Sequence, residues 1–406
     1  MTIYIGIDWS ETHHDVCILQ ENGSRLSAFQ IEHSPDGFAQ LAQEIEKLGL
    51  PAEENLVALE TAHNLLTDFL LDCHYLVYVL APSVVKSSRG RFGSSGARND
   101  QRDAHLLADM LRTDRARFAP WKPNGSVIRQ MQVQLGFIDD LTETITRFSN
   151  RLRAQLLRYF PSALNLFSDL TTQITLHFLI AYPTPQAARA LTYDQFVAFC
   201  RSHAYSHPQD MPKNYACLHQ PTLRPDPAME AVYQKVVPFL ARQLLSAVRR
   251  KKQAIREVQQ LFVSHPDQAI FASLPGAGEL LAPKLLVMFG DHRDRYPMPG
   301  SVQALAGTCP VTIHSGKSKS IRFRKACNRD FRRTAQQLAI FSVRQSPWAA
   351  AYFADALSRG QSESHAYRCL ANRWLAIAWT LWQRNECYDE SRHLQDVNRH
   401  QRPRPS

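Results

Sequence analysis

The sequence lacks three features that would place it in common protein classes. No apolar run reaches about 18 residues, which excludes a membrane-spanning helix. The eight cysteines form no C-x-x-C pair, so we expect reduced thiols in a cytosolic protein, with neither a zinc site nor a disulfide framework. The first predicted strand begins at Ile3, so we also expect no signal peptide and a cytoplasmic location.

Acidic residues are the scarcer charged type. The 406 residues include 47 Lys and Arg against 37 Asp and Glu, which gives a formal net charge of +10. An excess of this kind favours a polyanionic partner, most often nucleic acid. The length is sufficient for two or three domains with buried cores.

Predicted strands and helices alternate over residues 1–120. Three meandering strands come first, and a helix, a strand, a helix and a strand follow them. In chain order these elements are strands 3–8, 15–20 and 26–31, helix 35–48, strand 56–60, helix 63–73 and strand 75–80. This order predicts an α/β domain of the RNase H-like (RuvC-like) type, whose functional sites lie at the carboxyl ends of strands.

Four carboxylates are placed where such a site is expected. Asp8 and Glu60 each end an apolar run, while Asp100 and Asp103 stand three residues apart where a helical pattern begins. The i, i+3 spacing puts the latter pair on one helix face. Two strand-end carboxylates facing this pair can hold two divalent metals beside a phosphodiester, activating the attacking oxygen and stabilising the leaving one.

Smaller features near this set have two interpretations each. Residues 87–96 are rich in Gly, Ser and Arg, and form either a floppy connector or a mobile loop that orders on a phosphate backbone through Arg89 and Arg91. The pair His13–His14 resembles part of a metal cluster, but the start of an exposed strand explains it more simply. His63 either supports a metal ligand through a hydrogen bond or caps and packs a helix.

Two long helices are predicted in the central region, 121–265. Residues 130–160 and 226–262 carry apolar positions at helical or heptad spacing, and Pro238 is expected to kink the first turns of the second. They predict an antiparallel coiled-coil hairpin or a dimerisation arm, or else two ordinary core helices. Between them, an insertion at 161–225 is rich in Pro and His, and we assign it no chemistry.

A mainly α-helical C-terminal domain is predicted over 266–390. Near its start, Leu274 to Gly278 has the pattern of a helix-hairpin-helix, in which the turn at Gly276 and Gly278 presents N–H groups to DNA phosphates. The alternative is a turn used only for packing. The tail, 391–406, is polar and is expected to be disordered.

The most basic segment of the chain runs from Lys317 to Arg333. It holds eight Lys and Arg and one acid, with two phenylalanines interleaved, which predicts a nucleic-acid-binding face. A merely solvated face would usually contain more acids. The basic residues are Lys317, Lys319, Arg322, Arg324, Lys325, Arg329, Arg332 and Arg333.

The combination of motifs resembles the DEDD transposases of the "one-ten" class of insertion sequences, which are related to the Piv-type DNA invertases. The motifs are G-I-D-W-S ending the first strand, L-E ending a later one, D-x-x-D at Asp100, L-P-G-x-G, a G-x-x-P-V-T…S-G segment, and a basic N-R-x-x-R-R helix start. The similarity covers roughly 1–120 and 266–385.

The resemblance implies specific roles. Asp8, Glu60, Asp100 and Asp103 would be the tetrad that binds two Mg²⁺ ions, for which Mn²⁺ can substitute. Ser315, in the S-G segment, would be a nucleophile that forms a phosphoserine link to DNA and frees a 3′-hydroxyl for rejoining. Ser318 and Ser320 are close enough in sequence to be alternatives.

The resemblance also implies partners. Family members act on donor and target DNA, use a structured non-coding RNA that pairs with both, and form dimers that assemble into tetramers. Tetrad and serine can come from different subunits. No membrane partner is implied.

Three other functions compete with this one. A RuvC-type metal-dependent endonuclease, such as a junction resolvase, would use water as nucleophile and form no covalent intermediate. The Gly6 to Ser10 turn also begins actin-like ATPases and sugar kinases, but the chain lacks their second D-x-G loop and Gly-Gly adenosine motif in suitable context. A non-catalytic nucleic-acid-binding protein would usually have lost one of the four carboxylates.

Overall fold

The computed structural model of the protein describes residues 2–62, 64–92, 100–220, 226–316 and 318–401. The chain divides into two compact units, Met1–Pro123 and Asn124–Ser406. Within the described ranges, no helix is both long and apolar enough to cross a membrane. All eight cysteines are free thiols.

The first unit contains a five-stranded sheet and four α-helices. Its strands are β1 (Ile3–Trp9), β2 (His13–Gln20), β3 (Arg25–Glu32), β4 (Asn55–Leu59) and β5 (Leu76–Val79). Its helices are α1 (Pro35–Glu46), α2 (Leu65–Asp72), α3 (Pro82–Ser88) and α4 (Asp100–Asp114). The predicted elements of this region therefore exist, with ends that differ by a few residues.

The sheet has the order β3-β2-β1-β4-β5. The first three strands form an antiparallel meander, whereas β1, β4 and β5 run parallel. This mixed topology confirms the predicted α/β class and is consistent with an RNase H-like domain. The parallel pairing of β1 with β4 brings the carboxyl ends of both strands to the same edge of the sheet.

Both faces of the sheet are covered, so β1 is apolar from Ile3 to Ile7 and β2 from Val16 to Leu19. One face, which includes Ile3, Ile5 and Ile7, forms a buried core with α1 and α2. The opposite face, which includes Tyr4, forms a second core with α4. Alternation along β1 therefore assigns Tyr4, Gly6 and Asp8 to the face that α4 covers.

Local capping explains where the first helices start. The side chain of Ser34 accepts a hydrogen bond from the amide of Gly37 at 3.1 Å, and Pro35 occupies the first turn of α1. Asn64 does the same for α2, accepting from the amide of Thr67 at 2.9 Å.

The second unit contains the remaining thirteen α-helices of the described chain and a two-stranded sheet. The helices of its first part are α5 (Ser126–Tyr159), α6 (Gln173–Ala181), α7 (Pro185–Arg189), α8 (Tyr193–Ser202), α9 (Met211–Leu218) and α10 (Pro227–Val263). Those of its second part are α11 (Gln268–Ala272), α12 (Leu281–Phe289), α13 (Pro299–Leu305), α14 (Arg329–Ser342), α15 (Pro347–Ser358), α16 (Glu363–Arg384) and α17 (Glu390–Gln401). The strands β6 (Val311–Ser315) and β7 (Ser318–Arg322) form the sheet.

The two long helices, α5 and α10, pack antiparallel against each other. The early residues Leu135 and Ile138 of α5 share a core with the late residues Ala254 and Val258 of α10. The late part of α5 shares another core with the early part of α10. Pro238 lies inside α10, which continues through it. The hairpin arrangement is thus formed within one chain.

The insertion between the long helices is helical, which the sequence did not predict. Its apolar side chains, including Phe167, Phe178 and Phe196, form a buried core with the adjoining ends of α5 and α10. Thr192 and Gln195 form a capping box at the start of α8. Residues 221–225, which belong to the predicted insertion, lie outside the described residues.

The second part of this unit packs around α16, whose residues Trp374 and Trp382 are fully buried. The tail was expected to be disordered, but residues up to 401 form α17, and Glu390 at its start accepts hydrogen bonds from Ser346 and Trp348. Residues 402–406 lie outside the described chain.

Candidate active site

The four predicted carboxylates are carried by three elements of the first unit. Asp8 lies one residue before the end of β1, and Glu60 directly follows β4. Asp100 and Asp103 occupy the first turn of α4, where carboxylates interact favourably with the helix dipole. Because β1 and β4 are parallel and α4 packs on the face to which Asp8 belongs, the fold directs all three elements to one edge.

The electrostatics of Asp8 show that the set is brought together. Burial raises the pKa of the Asp8 carboxyl to about 7, and the charges of Asp103, Asp100, Glu60 and Asp15 contribute to this rise in that order. Negative charge is thus concentrated around Asp8 and is not fully compensated by the protein.

Glu60 and Asp103 share an arginine. Burial raises the pKa of the Glu60 carboxyl, Arg89 opposes that rise, and Asp103 adds to it. The guanidinium of Arg89 donates from Nη2 to Asp103 Oδ2 at 2.8 Å, and its buried Nε has no partner among the described residues. Arg89 was predicted to contact a phosphate backbone, but in this structure it neutralises part of the acidic site.

The donor set fits divalent metal ions. Carboxylate oxygens are the ligands that Mg²⁺ and Mn²⁺ prefer. Burial first, and neighbouring carboxylates second, raise the pKa of the Asp8 carboxyl, and a bound cation would offset both effects. Asp8, Glu60, Asp100 and Asp103 would hold these ions.

Sequence reasoning missed Asp15. It lies directly opposite Asp8 in the β1–β2 register and is 4% exposed. The sequence predicts that the second strand begins at Asp15, whereas β2 begins at His13, so Asp15 lies inside the strand. The alternation of β2 with the apolar Cys17 and Leu19 was the signal that could have found it.

Arg91, like Arg89, pairs with an aspartate of α4, but at the other end of the helix. Its Nη2 donates to Asp114 Oδ2 at 2.7 Å, and this bond lowers the pKa of the Asp114 carboxyl. The predicted loop 87–96 is therefore partly structured: its first residues end α3, and a 3₁₀ turn over Arg89–Phe92 carries both arginines. Residues 93–99 lie outside the described chain.

The predicted nucleophile lies at the tip of a β-hairpin in the second unit. Ser315 ends β6 and pairs with Ser318, the first residue of β7. Gly316 has a φ of 56°, which a two-residue hairpin turn requires at its first position. Ser315 and Ser318 are both exposed. Directly opposed residues point to the same side, so Ser315, Ser318 and, by alternation, Ser320 share one face of the hairpin.

The root of the hairpin is fixed by a double cation–π contact. The guanidinium carbons of Arg332 on α14 and Arg368 on α16 lie 4.3 Å and 4.7 Å from the centroid of the Phe323 ring. Arg332 also donates to the carbonyl oxygen of Arg324. Arg332 was predicted to bind nucleic acid, whereas here its guanidinium holds the segment that follows β7.

Other members of the predicted basic face are accessible to a nucleic acid. Four of them, named below, are exposed in the structure. A fifth, Arg333, is also exposed and lies 3.8 Å from Asp330. Arg324 is half-buried and Lys317 lies outside the described residues. The four are Lys319, Arg322, Lys325 and Arg329.

The helix-hairpin-helix interpretation of Leu274–Gly278 is not supported by the hydrogen bonds of its turn. The amide of Gly276 donates to Gln345 Oε1 at 2.8 Å, and that of Gly278 donates to the carbonyl oxygen of Gly276 at 3.0 Å. Gly276 has a φ of 83°, and a Cβ there would lie 2.7 Å from the amide nitrogen of Ser342. Packing against the end of α14 therefore explains this glycine.

Comparisons with known proteins match both units of the chain. A family model for DEDD transposases of the IS110 type matches residues 5–161, and a model for transposases of the IS116/IS110/IS902 family matches residues 268–354. The first spans the strands and helix that carry the four carboxylates, and the second spans the hairpin that carries Ser315.

Relatives align along most of the chain. The IS117 mini-circle protein of Streptomyces coelicolor, named as a putative transposase, is 28% identical over 97% of this chain and 96% of its own length. The IS116 protein of Streptomyces clavuligerus is 24% identical over 93% of this chain and 94% of its own. The IS110 protein of Streptomyces coelicolor is 25% identical over 72% of each.

The two family models together match more than half of the residues, and they match the same two regions from which the resemblance was drawn. The chain belongs to the IS110 family of DEDD transposases.

Proposed function

We propose that the protein is a metal-dependent DNA transposase, or site-specific recombinase, of a mobile element, and that it exchanges strands through a phosphoserine intermediate. The observation that carries this proposal is the convergence of Asp8, Glu60, Asp100 and Asp103 on one edge of an RNase H-like sheet. Family membership supplies the class of reaction.

The four carboxylates form the binding site for two divalent cations, of which Mg²⁺ is the proposed one. When bound, such ions stabilise the charge that develops on a phosphodiester under attack. The protein's own part is to place the carboxylates before the ions arrive: β1 and β4 fix Asp8 and Glu60, and α4 fixes Asp100 and Asp103. Burial around Asp8 strengthens each of these interactions.

Ser315 is the proposed nucleophile. Its Oγ attacks the phosphorus of a DNA phosphodiester and loses its proton, the bond from phosphorus to the O3′ oxygen breaks, and the departing O3′ gains a proton. In the second step a 3′-hydroxyl of the partner strand attacks the phosphoserine, which restores the serine hydroxyl. The exposed tip of the hairpin favours this role, since Ser315 needs no unfolding to reach DNA.

The family resemblance extends the proposal to partners. We propose a structured guide RNA that pairs with donor and target DNA, and dimers that assemble into a tetramer. The exposed basic residues from Lys319 to Arg333 provide a surface for either nucleic acid. Sequencing the nucleic acid that copurifies at moderate salt tests the RNA: a discrete structured species supports it, and its absence would favour a recombinase guided by protein contacts alone.

The nucleophile is tested by trapping the covalent adduct. Protein is incubated with Mg²⁺ and DNA carrying the ends of its own element, and the reaction is quenched in detergent. We expect an adduct with wild-type protein and with Ser318→Ala, and none with Ser315→Ala. Asp8→Asn should also abolish the adduct while DNA binding persists.

Two outcomes would contradict the proposal in different ways. An adduct that survives Ser315→Ala, mapped by mass spectrometry to Ser318 or Ser320, would move the nucleophile along the same hairpin face. Strand cleavage by wild-type protein without any adduct would indicate hydrolysis, as in a junction resolvase.

A further inference from the structure

A group of three potential metal ligands lies beside the tetrad. One ligand atom from each of His13, Asp15 and Asp100 falls within 4.8 Å of the others. Among the residues that the structure describes, this is the one group of three such side chains that meets that distance. Two of its members, His13 and Asp15, have no role in the proposed reaction.

The fold explains why these residues meet. His13 and Asp15 are two positions apart on β2, so their side chains point to the same face, which is the face covered by α4. The first turn of α4 supplies Asp100 from above that face. The three side chains therefore come from a strand and a helix, and the packing of α4 on the sheet brings them together.

Asp15 lacks a counter-charge. It is 4% exposed and lies opposite Asp8, yet the hydrogen bond it receives comes from the neutral amide of Gln30, with Nε2 3.2 Å from Oδ2. No Lys or Arg of the described ranges forms an ion pair with it. A buried carboxylate next to a second carboxylate is costly unless a cation lies close by.

The ring of His13 has a hydrogen-bonding partner at one nitrogen. Its Nδ1 lies 2.9 Å from the hydroxyl oxygen of Thr12, and in the tautomer in which Nδ1–H donates to that oxygen the lone pair of Nε2 is free for a metal ion. Hydrogen bonds of this kind to the second ring nitrogen accompany most metal-binding histidines.

We propose that His13, Asp15 and Asp100 form a divalent-metal site that is distinct from the tetrad and shares Asp100 with it. Imidazole favours transition ions over Mg²⁺, so the class of ligand is a divalent ion such as Mn²⁺. The tetrad has only oxygen donors. Occupancy of the histidine-containing site would therefore depend on which metal is supplied, and the shared carboxylate would couple the two sites.

Nitrogen ligation gives this proposal a direct test. The protein without DNA is loaded with Mn²⁺, and electron spin echo envelope modulation is recorded to detect ¹⁴N coupling from a coordinated imidazole. We expect coupling in the wild type, its loss in His13→Gln, and its loss or marked reduction in Asp15→Asn. Circular dichroism and thermal melting confirm that each variant folds.

Variants of the tetrad distinguish the two metal sites experimentally. Glu60→Gln and Asp103→Asn remove oxygen ligands of the proposed catalytic ions, so each should lower the number of bound Mn²⁺ while leaving the ¹⁴N coupling. Coupling that persists in His13→Gln would assign the nitrogen to another histidine, such as His63, and overturn the proposal. Wild-type protein without coupling would overturn it as well. Neither result bears on the adduct experiment, because DNA is absent.

Discussion

Arg89 is the residue that most directly links the acidic site to its surroundings. It pairs with Asp103 at 2.8 Å, lowers the pKa of the Glu60 carboxyl against the effect of burial, and begins the 3₁₀ turn that leads towards residues 93–99. A guanidinium in this position provides positive charge that a metal ion would otherwise provide. Metal binding and the Arg89–Asp103 pair should therefore compete.

Replacing Arg89 by alanine tests that competition. We expect Arg89→Ala to lower the melting temperature in EDTA, because repulsion among Asp8, Glu60 and Asp103 increases. The stabilisation by added Mn²⁺ should be larger than in the wild type, since the ion no longer displaces a guanidinium. Calorimetric scans with EDTA and with Mn²⁺ measure both quantities.

Arg91 is the matched control. Arg91→Ala removes the same side chain from the same turn and breaks a pair of nearly the same length, 2.7 Å to Asp114, at the far end of α4. It should change the melting temperature without changing the increment caused by Mn²⁺. Equal increments in the two variants would show that Arg89 does not compete with metal.

The raised pKa of Asp8 predicts how stability depends on pH without metal. The carboxyl has a pKa of about 7 in the folded protein, and an unfolded aspartate ionises near about 3.9. Between these values the folded state holds a proton that the unfolded state has lost, so stability falls as pH rises towards 7. Asp8→Asn should remove this fall and be the more stable form at pH 8 in EDTA.

The measurement is the melting temperature at several pH values, compared between wild type and variant. Asp36→Asn changes a carboxyl in the first turn of α1, away from the acidic site, and should keep the wild-type pH dependence. If Asp8→Asn melts with the same pH dependence as the wild type, the carboxyl of Asp8 does not titrate in this range.

At the scale of elements, the position of α4 depends on the absence of a side chain at Gly6. A Cβ at this position would lie 2.0 Å from the carbonyl oxygen of Ala104 and 2.5 Å from the amide nitrogen of Ala108. The helix can therefore lie directly on β1. Ala104 directly follows Asp103 and lies about one turn from Asp100, so this contact sets the approach of both carboxylates to Asp8.

Gly6→Ala should therefore act on the site through the helix. We expect α4 to move off the strand, at a cost of roughly 1–3 kcal/mol for overpacking, with loss of Mn²⁺ binding and of the DNA adduct. Gly136→Ala on α5 is the control: no atom lies within 4 Å of its added Cβ, so stability should rise, by about 1 kcal/mol at most. Unchanged metal binding in Gly6→Ala would mean that the helix position is not limiting.

Strands and helices could be predicted where the apolar periodicity is strong, but the side-chain contacts between them could not. The strands that carry Asp8 and Glu60 could be read from apolar runs that end in an acid. The ion pair of Arg89 joins residues 14 apart through a helix whose packing only the fold defines. Asp15 was missed because strand register decides which residue faces Asp8.

Other differences have local physical causes. The prolines of the insertion favour loops, yet Pro185 stands in the first turn of a helix, where its missing N–H costs nothing. The tail forms α17 although its sequence is strongly polar, and a polar composition of this kind favours the prediction of disorder. Arg332 looked like its basic neighbours, and only the position of Phe323 shows its packing role.

At the scale of the whole molecule, the positive charge predicts salt-dependent binding to nucleic acid. Arg322, Lys325 and Arg329 are exposed. Replacing all three by glutamine should weaken binding and reduce the slope of log K against log salt concentration by about 0.9 for each phosphate that the variant no longer neutralises. Fluorescence anisotropy with duplex DNA over a range of salt concentrations measures this slope.

Arg332→Gln is the control for charge alone. It also removes one positive charge from this segment, but its guanidinium packs on Phe323, so we expect a lower melting temperature and an unchanged slope. A triple variant that keeps the wild-type slope would show that this face does not bind phosphates.

The antiparallel pair of long helices gives the second unit a fixed length scale. At about 1.5 Å per residue, the 34 residues of α5 extend over about 51 Å. One end of α5 belongs to the core built around α16 and the other to the core of the helical insertion. Along B-form DNA, at about 3.4 Å per base pair, that distance corresponds to about 15 base pairs. The length of the helix pair therefore fixes a spacing. Nucleic-acid contacts made at its two ends would be separated by about one and a half turns of duplex, whatever sequence is bound.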